Sequence, residues 1–215
     1  IGIIYDSSDV YSSGIHDSFV SEAGNQGLEI VADEQFTADS KTDFSTQLQK
    51  MQSAGAELVF LPIYYQEASL ILQQAESLGL TIPVLGGDGL DGLIDQLGDK
   101  VDIAQDVLVM TPFAASSPDE KSAAFTAAYE EMTGGEVPIQ FAADAYDCVY
   151  AIYEGCKSQN VTADMIAQEI GEKLKTGFTD SAFKFNGLTG SDMSWATTGE
   201  VSKEPKGMII KNGAY

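Results

Sequence analysis

The sequence predicts an α/β fold, with helices covering both faces of a doubly wound parallel sheet in three layers. The first half of the chain alternates short β-rich runs with amphipathic stretches, the pattern that is typical of repeated βα units. Between the runs, apolar residues recur at helical spacing, as at Ala68, Ile71, Leu72 and Ala75. The predicted strands are 1–5, 28–32, 58–61, 82–85 and 107–110.

This βα rhythm stops at Ser117, where a predominantly helical segment begins. Ser117, Pro118 and Glu120 match a capping box with proline at the first helical position, and Gly134 would end the helix that they start. A second helix is predicted over 140–157, and a third is predicted to begin at Thr162 and to end near residue 175. Short strands are predicted at 182–185 and 208–210. Three consecutive helices cannot continue the βα winding, so they indicate another lobe or layer.

The composition argues against several classes of partner. The 215 residues carry 33 acidic and 11 basic side chains, a net charge of -22, and every basic residue is lysine. This charge repels nucleic acid and anionic membrane surfaces. The apolar runs are also far shorter than the roughly 20 residues that span a bilayer.

Neither the cysteines nor the acidic residues suggest a bound metal or a disulfide. Cys148 and Cys156 lie about 12 Å apart if they share a helix, which is too far for a disulfide. The carboxylates are scattered without metal-ligand spacing. We therefore expect no metal, no cofactor and no catalytic residues.

The loops that follow the predicted strands hold the candidate binding residues, because ligands of open α/β sheets bind at the carboxyl ends of the strands. The first such loop, 6–14, surrounds Tyr11 with hydroxyl groups, and another contains Tyr64 and Tyr65. Adjacent tyrosines on an extended segment point in opposite directions, so at most one of the pair should meet a ligand. The lone histidine, His16, is expected on a solvated face without an acidic partner.

The glycine-rich stretch 87–92 spells G-x-G-x-x-G after a predicted strand, and three interpretations stay open. It could bind a dinucleotide, although Asp88 and Asp91 would repel the pyrophosphate. It could be a turn in which one of these aspartates caps a short helix. The third interpretation, to which we give the most weight, is that Asp88 contacts a cationic ligand.

Several segments resemble the branched-chain amino acid (Leu/Ile/Val) binding proteins, extracytoplasmic receptors of the type I periplasmic-binding-protein fold that serve ABC transporters. The resemblance is carried by YDSSDVYSSG, PVLGGDGLDG and FNGLTGSDMSWATTGEVSKEPKGMIIKNGAY, and it extends along essentially the whole chain. Members of the family carry the opening part of a first lobe that has no counterpart here. The chain is therefore expected to be a fragment.

The resemblance implies an organisation in lobes and a set of ligand contacts. Residues 1–112 and 184–215 would form the second lobe, and 113–183 would be a helical segment of the first. Tyr11 and one of Tyr64 and Tyr65 would line the pocket, Asp88 would take the ligand's ammonium group, and Phe141 would be an aromatic wall. The groups that hold the ligand carboxylate would lie in the missing part.

The implied function is binding without chemistry. Two hinged lobes would close on a small aliphatic amino acid and deliver it to the permease subunits of an ABC importer, outside the cytoplasm and in some members as a lipoprotein. The chain alone would bind weakly, at millimolar Kd or worse, and could self-associate through its exposed helical segment. The alternatives are a dinucleotide-dependent oxidoreductase using the turn at 87–92 and a sensory ligand-binding domain of the same fold.

Overall fold

The computed structural model describes residues 1–215 and divides them into two compact units. One unit consists of Ile1–Thr111 and Gly207–Tyr215, and the other of Pro112–Lys206. The second unit includes residues 184–206, which the sequence-based division grouped with residues 1–112. The assignment of these segments to lobes of a complete receptor stays a prediction.

The first unit is built on a six-stranded sheet in the order β2-β1-β3-β4-β5-β6. The pairs β1–β2, β1–β3, β3–β4 and β4–β5 are parallel. The predicted α/β class and parallel sheet are thus confirmed. The strands are β1 (Gly2–Asp6), β2 (Ala32–Phe36), β3 (Val59–Leu61), β4 (Val84–Gly86), β5 (Leu108–Thr111) and β6 (Lys206–Ile209).

Four α-helices connect the strands of this unit and bury its core. They are α1 (Val10–Gln26), α2 (Ser45–Ser53), α3 (Tyr65–Ser77) and the short α4 (Leu93–Leu97). Gly27 ends α1 in the left-handed conformation, at φ 67°. The largest completely buried side chains of this unit include Ile4, Phe44, Met51, Leu61 and Ile71.

The second strand lies four residues later than its predicted position at 28–32. Residues 28–31 instead complete the exit from α1, where the Leu28 N–H bonds to the Ala23 carbonyl and the Val31 N–H bonds to the Ile1 carbonyl. The strand itself, ADEQF, is polar and ends the sheet, so only Phe36 is fully buried. An apolar-run criterion misplaces such an edge strand, because its outer face needs no hydrophobic residues.

The second unit contains three helices, as predicted, and an irregular tail. They are α5 (Glu120–Thr133), α6 (Gln140–Ser158) and α7 (Ala167–Phe178). The tail is fixed to α6 by the buried carboxylate of Asp147, which accepts hydrogen bonds from the N–H groups of Leu188 and Thr189 at 2.8 Å and from the Thr189 hydroxyl at 2.7 Å. None of the helices in the chain combines the length and apolar character that crossing a membrane requires.

Several predicted boundaries in this unit are wrong. Asp119, rather than Ser117, caps α5 by accepting the Ser122 N–H at 2.9 Å, because the Ser117 hydroxyl itself donates to Asp119. Helix α7 begins at Ala167 rather than at Thr162, and the Glu169 carboxylate accepts the backbone N–H just before it. The strand predicted at 182–185 is one isolated bridge. The span of α6 and the end of α5 at Gly134 are confirmed.

Candidate functional site

The candidate site lies at the carboxyl ends of β1, β3 and β4, within the first unit. In a sheet with the order 2-1-3-4-5, the topological switch point falls between β1 and β3, where bound ligands are typically found. Tyr11 follows β1, Tyr64 follows β3 and Asp88 follows β4. The topology therefore brings three of the predicted site residues to one place.

The loop after β1 is ordered by its own polar side chains. The Asp6 carboxylate accepts hydrogen bonds from the Ser8 N–H at 2.8 Å and the Ser8 hydroxyl at 2.6 Å. Asp9 caps α1 by accepting the Ser12 N–H at 2.9 Å, and the Ser12 hydroxyl oxygen accepts the Asp6 N–H at 2.8 Å. These bonds hold the first turn of α1 against the end of β1, and Tyr11 lies in that turn.

Tyr11 is the centre of the site. Its hydroxyl donates to Asp88 Oδ1 at 2.6 Å and accepts the Gly89 N–H at 2.8 Å. Its ring stacks on that of Tyr64, with centroids 4.9 Å apart and planes 26° apart. Tyr11 thus orients the Asp88 carboxylate, fixes the glycine-rich turn through Gly89 and forms an aromatic pair with Tyr64.

The geometry of this turn gives its glycines a packing role. A Cβ atom on Gly89 would lie 2.5 Å from the Ile63 carbonyl oxygen and 2.8 Å from the Tyr11 hydroxyl, and one on Gly92 would lie 3.1 Å from the Tyr65 ring. Gly92 also has a φ of 106°. The second of the three interpretations, in which Asp88 or Asp91 caps a short helix, does not hold, because the N-cap residues here are Gly87 and Gly92.

The electrostatics of the site suit a positively charged group. Burial, reinforced by the hydrogen bond to Asp88, raises the pKa of Tyr11 far above its ordinary value, so the phenol stays protonated. Burial and the charges of Asp9, Asp88 and Glu67 likewise raise the pKa of Tyr64. Such surroundings stabilise a cation and oppose a pyrophosphate.

Of the other two predicted site residues, one belongs to the first unit and the other to the second. Tyr65 opens α3 and packs on the hydrophobic core, beside Gly92, rather than on Tyr11. Phe141 belongs to the other unit, in the first turn of α6, with 38% of its surface exposed. Within the first unit, the structure therefore groups Tyr11, Tyr64 and Asp88.

The sequence analysis missed the residues that support this cluster. Asp9 could have been found from its position just before a helical stretch, since aspartate is a preferred N-cap residue. Ser12 and Gly89 carry no such local signal, because their roles arise from contacts with the ends of other elements. No group of three or more His, Cys, Asp or Glu side chains is arranged to hold a metal ion.

Comparison with known proteins identifies the family. A family model described as periplasmic binding protein matches residues 1–203. The chain belongs to the periplasmic binding protein family. Similar periplasmic binding proteins include "Leu/Ile/Val-binding protein homolog 3" of Brucella melitensis, which is 28% identical over 168 residues, 78% of this chain and 44% of the relative. The "Leucine-, isoleucine-, valine-, threonine-, and alanine-binding protein" of Pseudomonas aeruginosa is 26% identical over 155 residues, 72% of this chain and 40% of the relative.

Solved periplasmic binding proteins share the fold. The branched-chain amino acid transporter substrate binding protein LivJ of Streptococcus pneumoniae, solved in complex with isoleucine, matches with a TM-score of 0.79 and 28% identity, over 99% of this chain and 57% of LivJ. The leucine binding protein LivK of Thermotoga maritima matches with a TM-score of 0.79 and 23% identity, over 99% of this chain and 57% of LivK, and supports the fold alone. The chain thus spans less than two thirds of these relatives.

Proposed function

We propose that this chain supplies the ammonium-binding part of the ligand cleft in an extracytoplasmic receptor for a small aliphatic amino acid. The observation that carries the proposal is the Tyr11–Asp88 hydrogen bond of 2.6 Å at the sheet's switch point. A carboxylate held in this way places a fixed negative charge at the switch point, and that charge attracts a cation. Its partner in the proposal is the α-ammonium group, and Tyr64 lies beside the ligand's apolar part.

The energetics of such a site favour ligands with an amine. Asp88 is already half-buried, and a ligand that covers it without supplying a positive charge leaves a carboxylate without water or a cation. The relatives lend support: the LivJ structure holds isoleucine, and the B. melitensis and P. aeruginosa proteins are named for leucine, isoleucine and valine. The proposal makes this a binding protein, without catalytic residues or cofactor, that delivers its ligand to ABC permease subunits.

The oxidoreductase alternative has less support. A dinucleotide site needs free backbone N–H groups and room for the pyrophosphate, whereas the Gly89 N–H bonds to the Tyr11 hydroxyl. The carboxylate of Asp88 stands beside it. The Ile63 carbonyl oxygen and the Tyr11 hydroxyl leave no room for a side chain at Gly89, and the Tyr65 ring lies close to Gly92, so packing accounts for these two glycines of the motif.

The experiment is a titration of the labelled chain, followed by the chemical shifts of its backbone amides. Leucine should perturb the amides of Tyr11, Tyr64 and Asp88 with a Kd of millimolar or weaker, at most about 4 kcal/mol of binding free energy. 4-Methylpentanoate, which lacks the amine, should leave them unchanged, and 3-methylbutylamine, which keeps it, should perturb them. Perturbation by NAD alone would instead support the dinucleotide interpretation.

The matched variants are Asp88→Asn and Asp99→Asn, which remove one negative charge each. Asp99 is exposed in the short 3-10 helix Gly98–Ala104 and belongs to no part of the site. Asp88→Asn should abolish the response to leucine and to the amine, whereas Asp99→Asn should preserve it. Equal binding by the two variants would remove Asp88 from the proposed function.

A further inference from the structure

His16 is the only histidine of the chain, and both of its ring nitrogens face carboxylates. Nδ1 lies 3.0 Å from Asp17 Oδ1, and Nε2 lies 3.0 Å from Asp33 Oδ1 and 3.1 Å from Asp33 Oδ2. The residue is 8% exposed, so the expected solvated position without an acidic partner is wrong. The partner was hidden from the sequence because Asp33 lies on β2, the strand whose position was mispredicted.

Only one protonation state of His16 allows hydrogen bonds to both carboxylates. An ionised carboxylate only accepts hydrogen bonds, and a neutral imidazole carries a single N–H. Neutral His16 can therefore serve Asp17 or Asp33, but not both. Only the doubly protonated imidazolium donates at both nitrogens.

The contact with Asp33 joins two elements that lie far apart in sequence. His16 lies in the middle of α1, and Asp33 is on β2, which ends the sheet and pairs with β1. Tyr5 of β1 covers the imidazole, with ring centroids 3.8 Å apart and planes 13° apart. The histidine is thus held between a helix and the edge of the sheet, shielded on one face by an aromatic ring.

The charged groups that contact the imidazole directly favour the imidazolium. Helix α1 contributes Asp17, β2 contributes Asp33, and β1 contributes the neutral Tyr5. On α2, Lys50 pairs with Glu34 of β2 at 2.7 Å, so its charge is compensated by a carboxylate other than Asp33. Two carboxylates therefore face the imidazole directly.

The pKa of His16 follows from the same contacts. Burial by itself lowers it, but the hydrogen bonds to Asp17 and Asp33 and their charges outweigh burial, so the pKa lies above the ordinary 6.5. The stabilisation from these contacts is complete below pH 6.5 and is lost as the pH rises through the elevated pKa of the folded state.

We propose that His16 and Asp33 form a pH-sensitive clamp, which fastens α1 to β2 most tightly when the histidine is charged and holds α1 more weakly in mildly alkaline solution, where a neutral imidazole can donate to only one of the two carboxylates. Asp17, whose side chain is 82% exposed and sits on the same helix, orients the ring but does not join the two elements. Asp33, 42% exposed, is the clamp's other half. The clamp does not depend on the proposed ligand, since none of its groups belongs to the Tyr11–Asp88 cluster.

An NMR titration of the imidazole signals of the whole chain tests directly whether the pKa of His16 is raised. Because the chain has one histidine, its signals need no assignment by mutation. The expected pKa is above 6.5, and Asp33→Asn should lower it, while Asp99→Asn should leave it within error of the wild type. A wild-type pKa at or below 6.5, or equal shifts in the two variants, would overturn the proposal.

Amide hydrogen exchange tests the mechanical part. Protection factors of α1 amides around His16 should fall about three- to tenfold between pH 6 and pH 9, because a partly exposed charged pair is worth a modest free energy. Amides of α3 should keep theirs, and Asp33→Asn should make α1 protection the same at both pH values. Unchanged α1 protection in the wild-type chain would refute the clamp without requiring that any variant fold.

Discussion

Replacing Tyr11 by phenylalanine removes one oxygen atom that joins α1 to the turn after β4. The Tyr11 hydroxyl donates to Asp88 and accepts the N–H of Gly89, a buried residue. A hydrogen bond to a charged group contributes about 1.5–3 kcal/mol, and an unpaired buried N–H costs about 1–3 kcal/mol. Because Tyr11 and Asp88 are half-buried and one oxygen carries both bonds, we expect Tyr11→Phe to lower the free energy of unfolding by about 2–3 kcal/mol.

Urea denaturation followed by circular dichroism measures this loss. With a slope of about 2 kcal/mol per molar urea, the midpoint should fall by about 1 to 1.5 M. Tyr64→Phe is the matched control, since Tyr64 meets Tyr11 through its ring and phenylalanine keeps that stacking. A Tyr11→Phe midpoint equal to that of Tyr64→Phe would show that the hydroxyl does not hold the turn.

Three further changes probe other parts of the chain. Gly89→Ala should lower the free energy of unfolding by about 1–3 kcal/mol, because the added Cβ would lie 2.5 Å from a carbonyl oxygen. Gly14→Ala in α1, where a Cβ has nothing within 4 Å, should raise it by about 0.5–1 kcal/mol. Thermal melts of the two variants should therefore shift in opposite directions from the wild type. Asp147→Asn should lower the free energy of unfolding, measured in urea, by about 2–4 kcal/mol. The two carboxylate oxygens now accept hydrogen bonds from two backbone N–H groups at 2.8 Å, and the NH2 group of asparagine would face one of these donors. Hydrogen bonds from the Ser117 hydroxyl and the Ser122 N–H lower the pKa of Asp119 from 3.8 to about 2. Its capping contribution is therefore present above pH 3.8 and is lost as the pH falls toward 2. Asp119→Ala should lower the free energy of unfolding by about 1 kcal/mol at pH 7 and by little near pH 2. Urea midpoints at the two pH values measure this difference, and an equal loss at both would contradict it.

The sequence was sufficient for the parts of the fold that depend on local pattern. Buried strands such as Val59–Leu61 are short apolar runs bounded by helical stretches, and the Gly134 stop and the α6 span follow from helix signals. The polar edge strand Ala32–Phe36 escaped because its stability comes from pairing with β1 rather than from its own hydrophobic residues. The N-cap of α5 was mispredicted because two residues that both favour this position, Ser117 and Asp119, lie within one turn of each other.

The candidate site could be predicted only in part, for a related reason. Strand ends can be read from the sequence, so Tyr11, Tyr64 and Asp88 were accessible to strand-end reasoning. Which of two adjacent tyrosines faces the site depends on where α3 begins, and Tyr65 is its first residue. The bond between Tyr11 and Asp88 joins residues 77 positions apart, a contact that no local pattern encodes.

The polar edge strand also bears on how this protein behaves in concentrated solution. An unpaired strand edge can add a strand from another molecule, and charged side chains along it prevent this by repulsion. On β2 the charged residues are Asp33 and Glu34, in the centre of the strand that ends the sheet, and they are held in place by His16 and Lys50. The same five residues that were hardest to recognise as a strand therefore give the sheet a polar and charged edge, which is a poor template for a strand of another molecule.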